Sequence, residues 1–231
     1  MKKFYFLAVI VVVFLSGCTT TTTPVKRSVA YKKMYDEKPL TILLMPPINR
    51  STNVEAKDFF HSTLNVPIAN AGYYVIPTFL SMEILKNESA YDTELFIDNP
   101  LDKFRNIFGA DLALFTIIHK WDKSSLAAQV YVQVEYIIKS TKTNEVVFKR
   151  TGDIYYNASV STGLGGGLGA LADLALSAVN TAATQYVDVA RACNKYTFSV
   201  LPAGKYSPLY ETDTDLPAGN ESFKVKLDSN Y

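Results

Sequence analysis

Two histidines, two cysteines and a run with five glycines in seven residues are the parts of this sequence capable of chemistry. His61 falls in a predicted helix without a second ligand at metal spacing, and His119 ends a predicted strand. No His-Glu-x-x-His, Gly-x-Ser-x-Gly or Cys-x-x-Cys pattern occurs, so spacing nominates neither a metal centre nor a nucleophile. The carboxylates are scattered and nominate no acid/base pair. Gly163 to Gly169 follows a predicted strand and opens a helix, where a dinucleotide fingerprint belongs, and Gly165, Gly167 and Ala170 satisfy its loose form. A Rossmann unit also needs a second parallel strand ending in an acidic residue about 20 positions on. Here the helical pattern runs on through Asn180 and Thr184, and the Gly-Lys-Ser/Thr of a phosphate loop is absent. The expectation is a non-enzyme without metal or cofactor, in which Gly165 and Gly167 are either candidate partner contacts or simply part of a flexible loop that opens a closely packed helix of small residues.

Cys18 is different, because of what precedes it. Met1-Lys2-Lys3 is a short positive region, and Phe4 to Leu15 runs without a charge. That apolar run has the length of a secretory core and falls short of the roughly 20 residues a bilayer span requires. Leu15-Ser16-Gly17-Cys18 then has the pattern of a bacterial lipobox. The pattern implies cleavage before Cys18, a diacylglycerol on its thiol and acylation of the new α-amino group. Two or three chains, at about 0.8 kcal/mol per buried methylene, hold a protein where one alone binds weakly. Thr19 stands where an aspartate would signal inner-membrane retention, which favours the outer membrane, with the domain in the periplasm or at the cell surface.

Residues 1–17 read as signal peptide and 18–39 as an extended tether of threonine, proline and basic residues. Residues 40–200 read as one globular domain, and 201–231 as an irregular tail rich in Pro, Gly, Asp and Tyr. The whole chain carries +1; loss of Lys2 and Lys3 with the signal peptide leaves −1. Near-neutrality argues against nucleic acid, which demands a basic face. With Cys18 lipidated, Cys193 is the remaining thiol, read as a small hydrophobe on the apolar side of a helix, the sharper alternative being an intermolecular disulfide.

The elements that would carry these residues follow from pattern. Leu40 to Met45 is a short apolar strand stopped by Pro46-Pro47. Val54 to Ala71 is helical, with Pro67 expected to kink or split it. Tyr73 to Ile76 is a second strand, parallel to the first across a βαβ crossover. Helical pieces follow at Phe79 to Asn87 and Pro100 to Phe108, the latter capped by Asn99 and stopped by Gly109. Asp111 to Trp121 reads as a strand buried on both faces. Leu126 to Lys139 alternates, with Val130, Val132, Val134, Tyr136 and Ile138 inward and Gln129, Gln133, Glu135 and Lys139 outward. A turn at Thr141 to Asn144 leads into Glu145 to Asn157 and completes an antiparallel meander. Leu168 to Cys193 reads as one amphipathic helix burying Leu171, Ala175, Val179, Ala182, Tyr186, Val189 and Cys193. Its stretch Ala170 to Val187 carries one charge, Asp173, and suits burial on its own sheet or close approach of another helix. The fold class is α/β (α+β), one mixed sheet with packing helices.

Three motifs carry a resemblance: Met45-Pro46-Pro47-Ile48-Asn49-Arg50-Ser51, Gly72-Tyr73-Tyr74-Val75-Ile76-Pro77 and Phe108-Gly109-Ala110-Asp111. In this order and spacing, over roughly Leu40 to Tyr196, the chain resembles a family of bacterial lipoproteins that includes a genome-derived neisserial surface antigen. The resemblance implies an outer-membrane lipoprotein with a fold similar to the N-terminal domain of TolB, to CsgG and to LpoB. It also implies a shared complex with a CsgG-like lipoprotein, and it supplies no catalytic residue.

The functional expectation is an acyl-anchored component of an envelope assembly, secretion or transport complex that binds other envelope proteins, including its own copies. Pro46, Pro47, Asn49 and Ser51 either stiffen and turn the strand exit or present a rigid loop to a partner. A CsgG-like pore subunit is one rival. It would need two amphipathic membrane strands, for which Ile154, Tyr156, Ala158 and Val160 supply one. A cryptic enzyme or small-ligand binder is the other, and a pocket of converging carboxylates would be its signature.

Overall fold

The computed structural model describes residues 24–88, 92–124, 128–159, 166–183 and 186–228. Within them lies one mixed sheet in the order β3-β1-β4-β5-β6-β7, with β2 also paired to β4. β1 (Thr41–Leu44) is short and apolar, and lies parallel between β3 (Tyr74–Val75) and β4 (Leu112–Ser124). β2 (Ile48–Asn49) continues beside β4 after the two prolines, Ile48 opposite Ile117. Between β1 and β3 runs α3 (Ala56–Asn70), so the expected crossover is present. β4, β5 (Gln129–Ser140) and β6 (Val146–Asn157) form the expected antiparallel meander.

The main core lies on one face of the sheet. Phe60, Leu64 and Ile68 of α3 and Val189, Cys193 and Phe198 of α7 (Tyr186–Phe198) cover Val130, Val132, Val134, Tyr136 and Ile138 of β5. A buried polar network pins this layer. The Tyr136 hydroxyl donates to Asn194 Oδ1 at 2.5 Å, and Asn194 Nδ2 donates to Thr63 Oγ1 at 2.8 Å and Phe60 O at 3.1 Å. A second, smaller core lies on the opposite face, where α4 (Thr78–Asn87) and α5 (Asp102–Phe108) supply Leu85 and Phe104 against Leu43, Met45 and Phe115. Beyond it that face is polar. His119 Nε2 lies 3.0 Å from Glu135 Oε2, and Lys149 Nζ 3.2 Å from Glu135 Oε1. Partial burial pushes the Glu135 carboxyl up, but these two bonds outweigh it and hold the group below the usual carboxylate range.

Several expectations are corrected. The stretch read as tether is folded from residue 24 onward. It forms α1 (Arg27–Ala30) and α2 (Lys32–Glu37), because Tyr31 and Met34 have apolar surface to bury. The C-terminal stretch is not irregular throughout. Its Phe223, Val225 and Leu227 alternate in β7 (Ser222–Leu227), which adds parallel to β6. The stretch read as one helix is helical over α6 (Gly166–Ala183) and over α7, with residues 184 and 185 outside the described residues, and Leu171 and Ala175 are exposed rather than buried. α3 is unbroken at Pro67, which sits in its last turn, where the lost N–H removes one helical bond and little helix follows to be displaced. Asn99 does not cap α5, which starts from Leu101; its side chain turns back to Leu95 O. Lys139 points away from the main core as expected, yet it is buried and donates to Ile97 O at 2.6 Å. Ile154, Tyr156 and Ala158 are buried instead of forming one face of a membrane hairpin.

Candidate docking site at the strand ends

The familiar motifs are joints of this architecture. Asp111 Oδ2 accepts from Leu40 N at 2.9 Å and Thr41 N at 3.1 Å, stapling the start of β1 to β4. Gly109, at φ 65°, ends α5 in the left-handed conformation that glycine adopts without strain. Gly72, at φ 92°, is where the tail crosses; a Cβ there would meet Ser207 Cβ at 2.6 Å and Gly204 O at 2.7 Å. Pro46 and Pro47 are buried, so they fix the direction of the exit and are not themselves presented to a partner.

What they direct is the turn after β2. Arg50 N donates to Ile118 O at 2.8 Å, holding the turn to β4. Asn49 Oδ1 accepts from Ser51 N at 3.0 Å and Ser51 Oγ at 2.7 Å, while Asn49 Nδ2 donates to Asn53 O at 2.6 Å. Asn53 Oδ1 then accepts from Glu55 N at 3.0 Å, just before α3. Short polar side chains that satisfy nearby backbone groups in this way stiffen a loop that would otherwise be mobile. At the crest of the locked turn stands Val54, 84% exposed.

Beside the crest is a hollow of about 420 Å³ lined by residues of the turn together with Trp121, Lys123 and Tyr186. Trp121, near the end of β4, packs edge-on against Tyr186 at 5.4 Å and Phe60 at 5.5 Å. Its Nε1–H is buried without a hydrogen-bond partner among the described residues. Lys123 Nζ lies 4.4 Å from the centre of the Tyr186 ring, and burial pulls its pKa below the ordinary lysine value. An apolar crest, aromatic rings and a cation are the chemistry of recognition.

Asn49 and Ser51 shape the turn beside this hollow. Asn157, at the end of β6, pairs with Gln129 opposite Ser124, so β6 ends on the same side of the sheet as the hollow. Gly167 lies in the first turn of α6, whereas Gly165 and the lipobox residues Leu15, Ser16, Gly17 and Cys18 fall outside the described residues. The sequence reading missed Val54, Trp121, Lys123 and Tyr186, which come from three separate segments. The available signals were the single tryptophan of the chain at a strand end and an apolar residue in a polar turn. Among the described residues no cluster of His, Cys, Asp or Glu could hold a metal, and no helix is long and apolar enough to cross a membrane.

Comparison with known proteins supports a lipoprotein family. Residues 29–207 match the model of the family described as "Putative lipoprotein GNA1162-like". "Putative lipoprotein NMB1124/NMB1162" of Neisseria meningitidis serogroup B is 25% identical over 156 residues, covering 67% of this chain and 68% of that protein. Among solved structures, lipoprotein GNA1162 from Neisseria meningitidis aligns with a TM-score of 0.47 at 21% identity, over 64% of this chain and all of that one. The LpoB C-terminal domain from Escherichia coli aligns with a TM-score of 0.39 at 14% identity, over 55% of this chain and 93% of that one. The family match extends beyond the three motifs on both sides and stops before β7; over that span the chain belongs to the GNA1162-like lipoprotein family.

Proposed function

We propose that this protein is a non-enzymatic outer-membrane lipoprotein, acylated at Cys18, that docks another envelope protein through the strand-end hollow. The observation that carries the reading is the rigid turn that holds Val54 in solvent beside Trp121, Lys123 and Tyr186. A partner inserting a side chain there gains apolar contact without ordering the loop, and pre-organisation of that kind raises affinity. The occupant is a component of an envelope assembly, secretion or transport complex, a CsgG-like lipoprotein or a second copy of this chain being the leading cases. Leu171, Leu174 and Leu176, exposed on α6, offer a further apolar surface for the same assembly.

The test is photo-crosslinking in growing cells from a reactive residue at position 54, with adducts identified by mass spectrometry. A discrete adduct that disappears with Tyr186→Ala supports the reading. Equal labelling from Val54 and from the exposed Lys32, with no discrete product, contradicts it.

A further inference from the structure

The chain enters the fold at the end of the sheet where β1 and β4 begin. Five residues separate Cys18 from Pro24, and at about 3.6 Å per residue this tether reaches no more than roughly 20 Å. Val25 is fixed where it lands: its carbonyl accepts from Ala218 N at 2.9 Å, and Arg27 N donates to Leu216 O at 2.8 Å. The same end is closed by the segment after α7, where Gly204 N donates to Ala71 O at 2.7 Å and Tyr206 N to Gly72 O at 3.0 Å. Apolar surface is left uncovered at this end as well as elsewhere. Val25 is 56% exposed, Leu209 51%, Leu216 42% and Tyr206 65%. Leu209 and Leu216 line a groove of about 450 Å³ with Phe198 and Leu201 on its wall and Lys195 among its lining residues.

From the tether's length and landing point we propose that this face rests on the bilayer surface, its apolar side chains in the headgroup–acyl boundary. Lys195 and Lys205, both exposed, meet lipid phosphates there. The inference rests on Cys18 being acylated. A tether this short holds the surface around Val25 at the membrane whether or not a partner is bound. Exposed apolar groups there lose contact with water on resting against lipid. Trp121 lies nine residues along β4 from Leu112, about 30 Å at a strand's rise, so the docking hollow points away from the lipid.

The single native tryptophan makes this measurable. Full-length acylated protein is reconstituted into phosphatidylethanolamine–phosphatidylglycerol vesicles, with and without phosphatidylcholine brominated near the headgroup end of its chains. Emission from native Trp121 and from Val54→Trp is expected to be unchanged by bromine. The emission added by Val25→Trp and by Leu209→Trp is expected to fall roughly two-fold, as it should for rings ~5–10 Å inside the boundary. All three sites are exposed, so the substitutions leave the core intact. Intact mass separates the two ways of failing. Quenching at Val25→Trp and Leu209→Trp no greater than at Val54→Trp, in protein whose mass shows the acyl chains, overturns the orientation alone. A mass without acyl chains overturns the anchor and the orientation with it.

Discussion

Arg27 fixes the first described residues of the chain to the domain. Its Nη1 lies 2.9 Å from Asp213 Oδ2, with both side chains almost wholly buried, and it also donates to Leu201 O and Ser199 O. Asp213 is completed by Tyr35 OH at 2.9 Å and Ala203 N at 2.9 Å. Removing one partner of a buried pair strands the other charge, so Arg27→Ala is expected to cost about 3–5 kcal/mol in urea unfolding. Tyr136→Phe, which leaves Asn194 Oδ1 without its donor, is expected to cost about 1–3 kcal/mol by the same measurement. Burial holds the His61 imidazole below its ordinary pKa, against a 3.5 Å contact with Leu44 O. The unfolded chain then takes up the proton first as pH falls. Stability from this residue is full above about pH 6.5 and is lost below it, down to the folded-state value. His61→Gln should flatten that part of a plot of unfolding midpoint against pH; an unchanged slope would show that His61 is not its source. None of these partners could be read from the sequence, since Arg27 and Asp213 are far apart along the chain and nothing local links them.

At the scale of elements, what was legible was whatever a local pattern determines. The β1–α3–β3 crossover and the β4–β5–β6 meander were visible in apolar runs, alternation and turn residues. What was missed depends on distant contacts. α1 and α2 fold because Tyr31 packs on Phe148, at 5.1 Å between ring centres, and its hydroxyl donates to Ala218 O at 2.8 Å. β7 does alternate, but its Pro- and Gly-rich surroundings hid six residues that become a strand only against β6. The motif at Gly72 was visible, although its reason was not: the tail passes against that backbone. Gly72→Ala is expected to destabilise by about 1–3 kcal/mol from its conformation alone, with more from the clash, measured as the shift in urea midpoint. Ending the chain after Asn220 should also lower the midpoint, because Val225 and Leu227 leave the core; an unchanged midpoint would mean that β7 is dispensable.

On the proposed reading the two ends of the molecule have different tasks. The first described residues, the segment just after α7 and a groove of apolar residues share one end; the locked turn, Val54 and the aromatic hollow share the other. The sheet between them sets their separation, and the buried network of Tyr136, Asn194 and Thr63 keeps its covering helices in register. A docking surface held about 30 Å beyond the anchor end suits a protein that presents a partner with a fixed face from a membrane. All of this depends on Cys18 carrying fatty acid. Radiolabelled palmitate fed to cells should enter the wild-type protein and be absent from Cys18→Ala. Equal label in both, or none in either, would contradict the account.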